Sequence, residues 1–274
     1  MSLTPFEFDY VRSLVLEGSA IVLDPGKEYL VESRLTPLAT RLGLGSLNAL
    51  IGKLRAEPRN GIHKQVVDAM TTNETSFFRD LHPFEILKKN IVPEFLGKRS
   101  NERTLRIWSA ACSTGQEPYT IALLLRETFP QLAGWQVRIL ATDLSTDVLN
   151  KARTGTYSQM EMNRGLPAML LVKYFKKVGA DHWQVRDDLR GLIEFKEFNL
   201  ALPYPPLPSF DVILLRNVLI YFDIETKRSI LAKMRKVLAP DGYLFLGGSE
   251  TTLNIDENFE SVCLGKSVCY RKRQ

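Results

Sequence analysis

An α/β fold is predicted for most of this 274-residue chain: a Rossmann-like, mainly parallel sheet, preceded by an all-helical segment and interrupted by a small antiparallel β insertion. Three observations predict it. Residues 105–125 read as a short apolar strand, a tight loop of small polar residues and a helix, the opening unit of a doubly wound sheet. The run Phe210–Leu215 is almost continuously apolar, as in a parallel strand covered on both faces. Residues 1–82 are leucine-rich, carry helical spacings and contain few strand-like runs.

In the helical segment, Thr4-Pro5 ahead of Phe6, Tyr10, Val11 and Leu14 predicts a capped helix start. Pro25-Gly26 breaks the chain. Val31, Leu35, Leu38 and Leu42 then mark one face of a second helix, ended by Gly43 and Gly45. Lys27, Arg34 and Arg41 recur every seven residues on it, and residues 27–64 hold seven bases against three acids. This stripe reads either as a docking face for an acidic surface or as a solvated helix face. The segment closes on Asn73-Glu74-Thr75-Ser76-Phe77-Phe78-Arg79-Asp80. Paired phenylalanines between polar residues suit a stretch that covers a pocket, and equally an interdomain joint.

From residue 83 to 274 the α/β pattern takes over. A helix from Pro83 to about Leu96 leads through a basic turn, Lys98–Arg103, into the strand Leu105–Ser109. After the loop Ala110–Gln116, Glu117-Pro118 opens a helix with Ile121, Leu124 and Leu125 inside. The strand Val137–Ala141 finishes in Asp143, which can accept from ribose hydroxyls or cap the helix Ser145–Arg153. Residues 155–190 interrupt the alternation, with Val172–Val178 and His182–Arg186 expected as antiparallel strands around the turn Gly179-Ala180-Asp181. The strand Leu192–Phe198 ends at Asn199-Leu200, and a proline-rich loop, 202–208, precedes Phe210–Leu215 and Arg216-Asn217. A helix, Ile224–Leu238, a turn at Pro240-Asp241-Gly242, a strand Tyr243–Leu246 and a last strand Ser267–Arg271 complete the pattern. Ligands bind at the carboxyl ends of parallel strands, so Asn199, Leu200, Arg216 and Asn217 share a crevice with Gly115 and Asp143.

The net charge of +5 is small for a nucleic-acid backbone partner. No run reaches the 18 apolar residues of a membrane span, and the N-terminus lacks the regions of a signal peptide. Cys112, Cys263 and Cys269 have no CxxC spacing, and His63, His82 and His182 are scattered, so neither a disulfide framework nor a metal site is expected. A reducing cytoplasm fits this usage.

The loop is informative for what it lacks. A dinucleotide site needs several glycines so that backbone N–H groups approach a pyrophosphate. Here there is Gly115, with Glu117 two residues on, where a carboxylate repels phosphate and attracts a cation. S-adenosylmethionine, a phosphate-free adenosine bearing a sulfonium and an ammonium, matches such a loop. A glutamate that only complements the helix dipole is the competing reading.

Five stretches together resemble the chemoreceptor glutamate O-methyltransferases of the bacterial CheR type: Asn73–Arg79, Ser109–Tyr119, Ala141-Thr142-Asp143, Asn199-Leu200 and Arg216–Phe222. The resemblance runs nearly end to end. It implies a Rossmann-like class I methyltransferase sheet at 83–274, closed by a late strand pair, with a helical N-terminal domain at 1–82 for receptor docking and cofactor cover, and an inserted β-subdomain at about 155–190. It implies S-adenosylmethionine, with S-adenosylhomocysteine as product and no metal, held by Asn73, Thr75, Arg79, Glu117, Asp143, Asn199, Leu200, Arg216 and Asn217. It implies catalytic roles near the methyl for Arg79 and Tyr221. The implied partners are the cytoplasmic methylation helices of chemoreceptors, which recruit the enzyme to membrane receptor clusters without membrane insertion.

Some members grip a pentapeptide at the receptor's C-terminus through a longer, glycine-containing subdomain loop; the short Val178–Asp181 link predicts no strong tethering here. A nucleic-acid methyltransferase is the nearest rival, but Arg216-Asn217-Val218-Leu219 stands where an Asn/Asp-Pro-Pro-Tyr motif would be. A small-molecule methyltransferase and a non-catalytic receptor adaptor that binds the cofactor are further alternatives.

Overall fold

The computed structural model describes residues 3–265 and 267–273. The chain divides into two compact units, Met1–Thr72 with Tyr221–Thr226, and Asn73–Ile220 with Lys227–Gln274. The division falls ten residues ahead of the expected boundary at 82, so Asn73–Asp80 belongs with the second unit. No described helix is long and apolar enough to cross a membrane.

The first unit is helical: α1 (Pro5–Ser19), α2 (Glu28–Arg41), α3 (Leu47–Ala56) and α4 (Gly61–Met70). Thr4 caps α1 in a reciprocal box with Glu7, which satisfies two otherwise unpaired N–H groups. Val31, Leu35 and Leu38 are buried as expected. The basic stripe does not form one free face. Lys27 lies before the first turn of α2, and Arg34 turns its Nη1 onto the carbonyls of Met70 (2.6 Å) and Thr71 (3.2 Å), capping the end of α4.

The second unit opens with α5 (His82–Ile86), a π-helical turn (Leu87–Ile91) and α6 (Val92–Lys98). The single helix expected here is widened in its middle because Pro93 has no N–H to donate back along the helix. The sheet follows: β1 (Thr104–Ala110), α7 (Gln116–Thr128), β2 (Gln136–Asp143) and α8 (Thr146–Thr154). The insertion holds β3 (Thr156–Ser158), α9 (Gln159–Asn163), α10 (Ala168–Tyr174), β4 (Phe175–Val178), β5 (His182–Val185) and α11 (Asp187–Arg190). The chain ends through β6 (Ile193–Glu197), β7 (Phe210–Leu215), α12 (Ile224–Val237), β8 (Leu238–Leu246), β9 (Phe259–Leu264) and β10 (Ser267–Lys272). Strand order is β6-β2-β1-β7-β8-β10-β9, parallel from β6 to β8 and antiparallel beyond. The insertion is a separate antiparallel sheet, β3-β5-β4.

Two expectations need correction. Val172–Tyr174 end a helix instead of starting a strand, because β5 is only long enough to pair with Phe175–Val178. Pro240-Asp241-Gly242 is an irregularity inside β8 rather than a turn ahead of it: Phe210 pairs with Leu238 and Val212 with Tyr243. Asp241 is held there by Arg99 Nη2 at 2.6 Å, while the other arm of the guanidinium binds Asp211 on β7.

Candidate active site

The site is built on three loops at the carboxyl ends of the parallel strands, together with the segment before α5. The β1–α7 loop bends through left-handed backbone at Ala111, Ser113 and Gly115 (φ +93°). At Gly115 a side chain is excluded as well: a Cβ would stand 2.9 Å from Ala152 Cβ. Left-handed backbone also marks Phe78, Asp80, Leu81 and Asn217, so most of the non-glycine residues in this strained state flank the site.

Three N–H groups of the loop are consumed internally. Cys112 donates to the Thr142 carbonyl (2.8 Å), Ser113 to Asp143 Oδ2 (2.8 Å) and Gly115 to the Cys112 carbonyl (3.0 Å). No cradle for a pyrophosphate remains at these positions. Asp143, buried at the tip of β2, also accepts from Ser145 N–H through Oδ1 (3.0 Å), which fixes the turn ahead of α8. Ser145 is the N-cap residue there, and its side chain makes no capping bond, so neither residue caps the helix as the alternative expected. With three N–H groups on about four lone-pair sites, the carboxylate keeps room for a ligand hydroxyl. Burial pushes this carboxyl above its ordinary value, against the pull of the Ser145, Ser113 and Leu144 N–H groups.

On the other side of the loop, Glu117 accepts from Ser109 Oγ (2.7 Å) and from Arg216 Nη1 (2.8 Å). The Arg216 side chain is 2% exposed, and its Nη2 also donates to Asp80 Oδ2 (2.7 Å) and to the Arg79 carbonyl (2.9 Å). Its Nε is buried without a partner among the described residues. The Arg79 side chain folds back, donating from Nη1 to the Glu74 carbonyl at 2.6 Å. Asn73 is tied to the loop through its carbonyl, which accepts from Ser113 Oγ (2.7 Å). Asn73 and Thr75 line a cleft of about 230 Å³ with Thr114 and Gln116.

At the next strand tips, Asn199 Oδ1 accepts from Ala201 N–H (2.9 Å). Lys233 of α12 fixes the same loop by donating to the carbonyls of Leu200, Ala201 and Leu202 at 2.7–2.9 Å. Asn217 donates its N–H to Glu250 Oε2 (2.8 Å), and Glu250 also accepts from Gly247 (2.6 Å) and Ile220 (3.2 Å).

Direct hydrogen bonds therefore join Asn73 through Ser113 to Asp143, and the Arg79 backbone through Arg216 to Glu117. Asn199, Leu200 and Asn217 lie at the tips of β6 and β7. Tyr221 falls in the helical unit, where its carbonyl accepts from Val22 N–H (2.9 Å). Sequence reasoning missed Ser109, Asp80, Lys233 and Glu250 as supporting groups. The Gly247-Gly248-Ser249 run before Glu250 was the one local signal of a tight loop there.

Residues 73–268 match the family model described as the S-adenosylmethionine-binding domain of CheR methyltransferases, and residues 7–71 match the CheR all-alpha domain. The chain is 41% identical over 277 residues to the chemotaxis protein methyltransferase Cher2 of Pseudomonas putida, covering 100% of both. It is 42% identical to chemotaxis protein methyltransferase 1 of Pseudomonas aeruginosa, again over the whole of both chains. It is 35% identical to the Escherichia coli chemotaxis protein methyltransferase, over 94% of this chain and 89% of the other. The loop between the carboxylates of Asp143 and Glu117, with three of its N–H groups already bonded, fits the cofactor these matches imply, and the chain belongs to the CheR methyltransferase family, acting in chemotaxis as an S-adenosylmethionine-dependent methyltransferase.

Proposed function

We propose that this enzyme esterifies glutamate side chains on the cytoplasmic methylation helices of chemoreceptors. The observation that carries most weight is the β1–α7 loop, three of whose N–H groups are spent internally beside the carboxylates of Asp143 and Glu117. When bound, S-adenosylmethionine supplies a methyl group on a sulfonium, and the methyl passes to a carboxylate oxygen to leave S-adenosylhomocysteine.

Asn73, Thr75, Glu117, Asp143, Asn199, Leu200, Arg216 and Asn217 hold the cofactor in this reading. Asp143 receives hydroxyl donors, and Glu117, kept in place by Ser109 and Arg216, supplies negative charge for the cationic end. Arg79 and Tyr221 orient the reacting groups. A glutamate acceptor, with a reference pKa near 4.3, is already ionised at neutral pH and needs no base. Catalysis then consists of alignment and exclusion of water. The helical segment docks the receptor, and the enzyme works in the cytoplasm at receptor clusters.

The test is transfer of radioactive methyl to purified receptor. Release of the label as methanol in mild alkali supports a glutamate ester. Label that survives alkali, or that goes to RNA and not receptor, overturns the reading. We also propose weak tail tethering, because three residues, 179–181, join β4 to β5. Calorimetry with a receptor C-terminal pentapeptide should show binding weaker than micromolar.

A further inference from the structure

Tyr157, on β3 of the inserted subdomain, is fully buried and touches two separate walls of the active site. Its hydroxyl donates to the Thr114 carbonyl in the β1–α7 loop at 2.7 Å. The same oxygen would stand 3.1 Å from a Cβ on Gly115, so the loop is packed directly onto it. Its ring meets Phe77 edge-on, with centroids 5.2 Å apart and planes at 82°. Phe77 is itself fully buried and lies edge-on to Phe175 of β4 at 5.7 Å.

Two further contacts press the Asn73–Arg79 segment onto the subdomain. Gly165, in the turn between α9 and α10, has left-handed backbone (φ +92°), and a Cβ there would fall 2.1 Å from the Phe77 carbonyl oxygen. Arg164 Nη2 pairs with Glu74 at 3.0 Å. The cleft lined by Asn73, Thr75, Thr114 and Gln116, with Lys151, Glu161 and Arg164 at its side, thus has one wall hydrogen-bonded to Tyr157, and the segment that forms the other is packed edge-on against it through Phe77.

We propose that Tyr157 is a positioning residue for the cofactor: by holding Thr114 and Phe77 at once, it sets the spacing of the cleft's walls. The inserted subdomain is in this way part of the cofactor site. The inference rests on the reading that Asn73, Thr75 and Glu117 hold the cofactor. Coupling of this kind is reciprocal, so cofactor binding must in turn steady the subdomain.

The test is calorimetric titration of S-adenosylhomocysteine into the full-length wild type, Tyr157→Phe and Tyr119→Phe. Tyr157→Phe keeps the ring and removes one hydrogen bond, so binding should weaken about fivefold, the factor that a net ~1 kcal/mol carries. Tyr119→Phe is the control. Its hydroxyl is equally buried but donates to the Ala152 carbonyl of α8 at 2.8 Å, so it should cost folding stability without weakening binding. Under saturating cofactor, kcat of Tyr157→Phe should stay within twofold of wild type while KM for the cofactor rises. A wild type that does not bind S-adenosylhomocysteine overturns the site assignment itself. A wild type that binds, with Tyr157→Phe unchanged or Tyr119→Phe weakened equally, overturns the role of Tyr157 alone.

Discussion

Removing Glu117 should unfold the site from its centre. The Arg216 guanidinium is 2% exposed and Glu117 12% exposed, with 2.8 Å between Nη1 and Oε2. Taking away one partner of a buried pair costs about 3–5 kcal/mol, because the remaining charge is left uncompensated in a poorly hydrated place. Asp80, though 50% exposed and screened, stays on Nη2 and compensates part of the charge, so the low end applies to Glu117→Ala. At this size about 2–4 °C of melting midpoint accompanies each kcal/mol, so ~3 kcal/mol lowers the midpoint by about 6–12 °C. Replacing both partners removes the stranded charge. Glu117→Ala with Arg216→Met should therefore lose less than the two single losses added, by at least ~1 kcal/mol. Thermal and urea unfolding followed by circular dichroism, without cofactor, measure both quantities. A midpoint within about 2 °C of wild type for Glu117→Ala, or strictly additive losses, would refute the buried-pair account.

Arg79→Ala should lower methyl transfer by at least about tenfold, equivalent to roughly 1.4 kcal/mol of lost orientation; an unchanged rate in a methanol-release assay removes Arg79 from the mechanism. Gly165→Ala should cost more than ~1 kcal/mol from left-handed strain alone, and the collision with the Phe77 carbonyl should weaken S-adenosylhomocysteine binding too; calorimetry matching wild type contradicts this. Native protein should expose one reactive thiol, Cys263, to a thiol reagent at pH 8 and three after denaturation. Burial pushes the Cys269 thiol up to about 12 and the Cys112 thiol well above its ordinary value, so neither yields thiolate. Asp143 takes up its proton at a higher pH than a free carboxyl, so S-adenosylhomocysteine affinity should decline on acidification before the ordinary carboxylate range is reached. Asp143→Asn should lack that decline, and an identical pH profile would contradict the role.

What was legible in the sequence was local. The apolar run Phe210–Leu215, the strand–loop–helix at 105–125 and the Thr4 cap are set by neighbours a few residues apart, and all three appear in the structure. The misread elements depend on distant partners. Pro240–Gly242 looks like a turn until Arg99, 142 residues away in sequence, pins Asp241 into β8. The Lys27–Arg34–Arg41 stripe has a true helical period, but the Arg34 side chain is long enough to cap α4 instead. Residues Asn73–Arg79 were ambiguous between pocket cover and joint. The structure shows Phe77 as a plug against Tyr157, while Asn73 and Thr75 line the cleft. Glu250 was invisible because its N–H donors include Asn217, 33 residues before it.

The most direct measurement is a pair of calorimetric titrations on the same full-length protein, one with S-adenosylhomocysteine and one with a pyrophosphate-bearing dinucleotide. The account predicts saturable binding of the first, weakened at least about tenfold by Asp143→Asn through a lost ribose acceptor, and no binding of the second. Comparable binding of the dinucleotide, or indifference to Asp143→Asn, would contradict a phosphate-free site built on these carboxylates.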